Sequence, residues 1–112
     1  MSRRVETAPT FERNLKQLGQ RYRRIRKDLE PLLEQLLAGQ TPGDRLRGVS
    51  VVVYKARLPN SDARRGKSGG YRVIYYLPVG EATILLTIYS KTDQADIPTN
   101  EIVRILKEEL IR

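Results

Sequence analysis

Apolar residues change their spacing along the chain, and the change separates helical from extended segments. Phe11, Leu15, Leu18 and Tyr22 follow in steps of four, three and four, one stripe of an amphipathic helix. Residues 3–8 read as a weak first strand ended by Pro9, with Thr10 placed to cap the helix. Gly19 predicts an interruption of that helix. Ile25, Leu29, Leu32, Leu33, Leu36 and Leu37 continue at helical spacing to Ala38-Gly39, a C-terminal stop. Pro31 falls inside this second stripe and predicts a kink or a fresh start. The two helices form a hairpin whose apolar faces cover a sheet. The basic run Arg21, Arg23, Arg24, Arg26 and Lys27 then lies outward.

Gln40-Thr41-Pro42-Gly43-Asp44 is a turn-rich link, and beyond it the period becomes that of strands. Residues 51–58 are β-branched at first and then alternate, setting Lys55 and Arg57 on one face. Residues 59–70 form a polar loop holding Arg64, Arg65 and Lys67. Two more strands, residues 71–77 and 82–90, are joined by a turn at Pro78-Val79-Gly80-Glu81. Pro98 opens a terminal helix with Ile102, Ile105, Leu106 and Leu110 on its apolar side. The expected class is α+β: strand, helical hairpin, three-stranded antiparallel sheet and C-terminal helix, with the helices on one sheet face.

At 112 residues, positions 1–112 make one domain, too short for two cores. No run nears the ~18 apolar residues of a membrane span, so no membrane role and a cytoplasmic location are expected. The absence of cysteine and histidine narrows the chemistry further. Thiol nucleophiles, disulfides and His-based zinc sites are excluded, and acid–base work falls to Lys, Tyr, Asp or Glu.

The net charge of +8 is concentrated. Residues 1–30 carry nine Lys/Arg against four Asp/Glu, and residues 51–75 carry six against one, so the excess forms two blocks. Such surfaces suit phosphate-rich partners, although a helix face like that of residues 1–30 also serves simple solubility.

Gly66-Lys67-Ser68 ends like a phosphate loop, but that pattern needs glycine at position 61, where Ser61 stands. A strand, rather than a helix, also follows it. A nucleotide loop is excluded. The more informative feature is that Lys55, Arg57 and Arg72 fall on adjacent strands, with Lys67 in the loop between them. Three cations on one sheet face repel unless an anion joins them. Tyr54, Tyr71, Tyr75, Tyr76 and Tyr89 are interleaved with the cluster and would offer stacking surfaces to single-stranded nucleic acid. Most of these tyrosines are equally expected as strand residues covering the core.

These residues carry a family resemblance. Phe11-x3-Leu15-x2-Leu18, Val53-Tyr54-Lys55-x-Arg57, Gly66-Lys67-x-Gly69-Gly70-Tyr71-Arg72-Val73-Ile74-Tyr75 and Ile88-Tyr89-x-Lys91-x-Asp93-x2-Asp96-Ile97 resemble, in order, the RelE/ParE family of bacterial toxins. The resemblance implies the toxin half of a type II toxin–antitoxin pair, with a co-encoded acidic antitoxin as partner. Its RelE branch cleaves mRNA, usually on the ribosome, without metal, histidine or cofactor. Its ParE branch poisons DNA gyrase instead, and a plain basic nucleic-acid-binding module is a further alternative. The resemblance implies Arg72, Lys55, Lys91 and Tyr89 as catalytic positions. Arg57, Arg64, Arg65, Lys67 and Tyr71 are the candidate RNA contacts. Well-known members carry a tyrosine in the C-terminal segment, whereas this chain has none after Tyr89.

The chemistry also stands by itself. Attack of a 2′-hydroxyl on its neighbouring phosphate builds negative charge, which a bidentate, permanently charged arginine such as Arg72 stabilises. Lys55 crowded by cations would be a feasible proton acceptor. The glycines before Arg72 would let RNA approach the backbone.

Overall fold

Alternation along the strands sends side chains to two faces, and the protein builds a core on each. The structure, a computed structural model, describes residues 3–64, 66 and 69–111. Its elements are β1 (Arg4–Thr7), α1 (Pro9–Arg21), α2 (Ile25–Leu37), β2 (Asp44–Arg45), β3 (Val53–Leu58), β4 (Tyr71–Tyr76), β5 (Ala82–Ser90) and α3 (Thr99–Ile111). They form one sheet in the order β1-β5-β4-β3-β2. The β1–β5 pair is parallel and the other three are antiparallel. The sheet is thus larger than the three strands expected. β1 adds to one edge, and the two-residue β2 adds to the other.

On the first face Phe11, Leu15 and Leu18 of α1 and Ile25, Leu29, Leu32 and Leu36 of α2 pack on the sheet. They meet Ala56, Leu58, Tyr71, Val73, Tyr75, Leu85 and Ile88. Leu36 and Leu85 are fully buried, each contributing roughly 1.5–3 kcal/mol of burial. On the second face Ile97, Ile102, Ile105 and Leu106 cover Val53, Ile74, Tyr76 and Leu86. Helix α3 therefore lies opposite the hairpin, correcting the expectation that all helices share one face. The physical reason is β4, buried at all six positions, which needs cover on both sides. Leu110, also assigned to that apolar side, lies outside the residues whose side chains are described.

Helix boundaries correct other details. Helix α1 begins at Pro9, with Ala8 as N-cap and no side-chain cap, so Thr10 is a buried helical residue. Proline at the first position loses no helical hydrogen bond. Helix α2 runs unbroken through Pro31, which is exposed. It stops in a Schellman arrangement at Gly39 (φ 86°): Gly39 N–H donates to Leu36 O at 3.0 Å and Gln40 N–H to Gln35 O at 2.9 Å. The basic residues Arg21, Arg23, Arg24, Arg26 and Lys27 are all exposed, as expected.

Helix α1 also continues through Gly19 and breaks at Tyr22 instead. A Cβ at position 19 would meet Ile25 Cγ2 at 3.8 Å, an ordinary contact. Gly19→Ala should therefore stabilise the protein by about 0.5–1 kcal/mol through helix propensity. A rise in the urea midpoint without change of slope is the expected readout.

The link before β3 is tighter than its composition indicated. At Gly43 (φ +96°) a Cβ would lie 2.2 Å from Lys55 O, so only glycine lets this segment approach β3 and pair as β2. Among the described residues no helix is long and apolar enough to cross a membrane.

Candidate active site

Strand register places the candidate site before any side chain is considered. Arg57 pairs with Arg72 across β3 and β4, and Arg72 pairs with Tyr89 across β4 and β5. Directly opposed residues share a face, so the three form a row across the sheet. Lys55 lies two residues from Arg57 on β3 and therefore on the same face. This is the α3 face, away from the helical hairpin. The grouping of Lys55, Arg57 and Arg72 expected from alternation is thus found.

The members differ in exposure. Arg72 is only 5% exposed and its Nη1 donates to Tyr71 O at 3.1 Å. Burial, then the neighbouring Arg57 charge, lowers its pKa from the ordinary arginine value. Arg57 is exposed, so the row sets an open cation beside a desolvated one. Tyr89 is 6% exposed, and burial followed by the Asp96 charge pushes its pKa up to about 12. It stays a hydroxyl at neutral pH, a hydrogen-bond donor and no base.

One carboxylate enters this cluster. Asp96 Oδ1 accepts from Lys55 Nζ at 3.2 Å, Tyr89 Oη at 3.4 Å and its neighbour's amide, Ile97 N, at 2.8 Å. The Ile97 amide, then Lys55, lowers the Asp96 pKa below its ordinary value. This corrects the premise for Lys55 as proton acceptor: it is not crowded by cations alone but held in an ion pair. Asp96 is the functional candidate missed by sequence reasoning. It lies in a turn, where no alternation predicts facing, and its only signal was its place in the Tyr89-to-Ile97 motif.

The remaining candidates divide. Lys91 Nζ donates to Ala95 O at 2.7 Å, bracing the turn that carries Asp96. Its own amide donates to Gly70 O at 2.9 Å, tying that turn to the start of β4. The position expected for Lys91 is found, but its ammonium serves the turn. Tyr71 is corrected as an RNA contact: it is fully buried, edge-to-face with Tyr22 at 5.8 Å under the hairpin. Alternation sends it to the face opposite Arg72. Tyr75, stacked on Tyr54 at 5.5 Å, belongs to the same core. Arg64 is exposed with φ 54°, in a loop fastened to α2 by Ser61 N–H donating to Asp28 Oδ2 at 3.0 Å. Arg65 and Lys67 lie outside the described residues.

Of the glycines before Arg72, Gly70 serves a different purpose from the one expected. A Cβ on Gly70 would lie 2.0 Å from Leu58 O. Its missing side chain is required by β3, not by an incoming ligand. A cavity of about 620 Å³ runs beside β5 between α1 and residues 93–101, with Tyr89 in its wall. Lys55, Arg57 and Arg72 do not line it; Arg57 instead borders a second cavity of about 440 Å³ between α2 and β3.

Helical hairpin on one sheet face, terminal helix and cation row on the other: these define an α+β fold of the RelE type. A solved structure of the E. coli toxin RelE, a mutant with two arginines changed to alanine, in the free state, shares it at a TM-score of 0.56. The two sequences are 20% identical, and the alignment covers 85% of this chain and 90% of that chain. No family model matches this sequence, and no curated protein matches it. The resemblance read from the motifs is thus met in the fold.

Proposed function

We propose that the protein is a RelE-like toxin that cleaves mRNA, acting on ribosome-bound transcripts in the cytoplasm. The observation that carries this reading is the Arg57–Arg72–Tyr89 row with Lys55 beside it. Exposed Arg57 meets a backbone phosphate first, and buried Arg72 stands beside it on the neighbouring strand. A desolvated guanidinium gives transition-state charge its largest stabilisation. Much of the remaining rate comes from holding the RNA bent for in-line attack. A gyrase poison has no need of such a phosphate clamp.

A basic surface of this kind, loose in a cell full of RNA, requires restraint. The fitting partner is an acidic antitoxin, whose carboxylates cover the cations and whose apolar residues dock on the toxin. Expressed alone, the protein is expected to arrest growth, with mRNAs cut inside their reading frames. Co-expression of an acidic partner encoded beside it should restore growth. Intact transcripts with accumulating gyrase–DNA breaks would overturn the nuclease reading in favour of the ParE branch.

A further inference from the structure

We infer that Asp96 is the proton acceptor of the cleavage reaction, an assignment that rests on the nuclease reading above. The reaction must remove a proton from a 2′-hydroxyl, and the site limits what can take it. Arg57 and Arg72 are charged donors only. Lys55 is an ammonium paired with Asp96. Tyr89 is held as a hydroxyl, buried beneath the same carboxylate. Among the described residues of the cluster, Asp96 alone carries an acceptor in its ready form.

Its geometry fits the task. All three hydrogen bonds that Asp96 accepts with its side chain fall on Oδ1. They come from β3, from β5 and from the Ile97 amide, and they fix the plane of the carboxylate. Oδ2 takes none of them, and the side chain is 68% exposed. One oxygen is thus tethered, and the other belongs to a side chain open to solvent beside Lys55 and Tyr89. The Gln94 side chain (Nε2 to Asp96 O, 3.0 Å) and Lys91 brace the backbone beneath it.

The step balances without any further group. The 2′-hydroxyl gives its proton to Oδ2 as O2′ bonds to phosphorus. The P–O5′ bond breaks with its electron pair on O5′, which takes a proton from water. The products are a 2′,3′-cyclic phosphate and a 5′-hydroxyl, and Asp96 returns its proton to solvent. Arg72, Arg57 and Lys55 offset the negative charge on the phosphorane, so a weak base suffices. Lys55 from β3, Arg72 from β4 and Tyr89 from β5 face the carboxylate. It stays ionised to below its ordinary pKa of 3.8, placing the acid limb of the rate there.

The test compares Asp96→Asn and Asp96→Glu with the unaltered protein in single-turnover cleavage of ribosome-bound mRNA and of a free oligoribonucleotide. Binding is followed in parallel with an oligonucleotide lacking 2′-hydroxyls. Asn should slow cleavage ~10²–10³-fold, within the usual contribution of general base catalysis. Binding should hold or tighten, and Glu should recover part of the rate. The Asn variant's rate should rise with pH as hydroxide replaces the carboxylate, while the unaltered protein stays flat from pH 5 to 8. If Asn cleaves within threefold of the unaltered protein, Asp96 is not the acceptor and the nuclease reading survives. Parallel loss of binding and rate would make Asp96 a brace for Lys55, which also overturns the assignment. If the unaltered protein cuts neither substrate, both readings fall together.

Discussion

Arg72→Ala is expected to lower the cleavage rate by ~10²–10³, the usual cost of one transition-state contact, and to abolish growth arrest. Arg72 sits in mid-sheet at 5% exposure, between Arg57 and Tyr89, held on a central strand. Removing its side chain empties a nearly buried space and loses the hydrogen bond to Tyr71 O, but it also relieves like-charge repulsion with Arg57, and the fold should survive. Thermal unfolding of the variant checks that point. Arg72→Lys should recover little, because a single ammonium cannot chelate two phosphate oxygens in the fixed fork of a guanidinium. A variant that is folded, lacks Arg72 and still cleaves normally would remove the row from the mechanism.

Gly70→Ala is expected to damage stability and activity together. Its new Cβ would meet Leu58 O at 2.0 Å, backbone that cannot turn aside as a side chain can. Forcing β3 and β4 apart at this point should cost about 1–3 kcal/mol, the range for overpacking. The displacement also reaches chemistry, because Arg72 follows two residues later and Gly70 O holds the Lys91 amide. Gly66→Ala is the matched control, since a Cβ there meets nothing within 4 Å. Equal denaturation midpoints for the two variants would show that the close approach at Gly70 carries no weight.

Period-two alternation made the site legible, and local rules failed where tertiary contacts decided. The bounds of β5, Ala82–Ser90, are legible because a continuous apolar run between turn signals has few other solutions. The shared face of Lys55, Arg57 and Arg72 followed from the same alternation. Helix α1 ignored the Gly19 signal and α2 the Pro31 signal, because the hairpin's packing against the sheet outweighs a local propensity loss. β2 was invisible, since two residues pairing through their backbone need no side-chain pattern. Asp96 was out of reach because a turn, not a strand, carries it to Lys55.

The parallel edge strand has a consequence for how the molecule comes into being. Arg3 Nε donates to Thr83 Oγ1 at 3.0 Å, across 80 positions of sequence, and β1 docks along Ala82 to Leu85 beside it. The helical hairpin and the β3–β4–β5 meander close short loops and can form early, whereas β1 must await β5, a partner that follows both the hairpin and β4 in sequence. β1 is therefore made before the other strands of this sheet and seated after them. A chain still emerging, with β5 unmade, has neither a closed sheet edge nor the Tyr89 end of its cation row. Synthesis itself thus withholds the finished surface until β5 has been made.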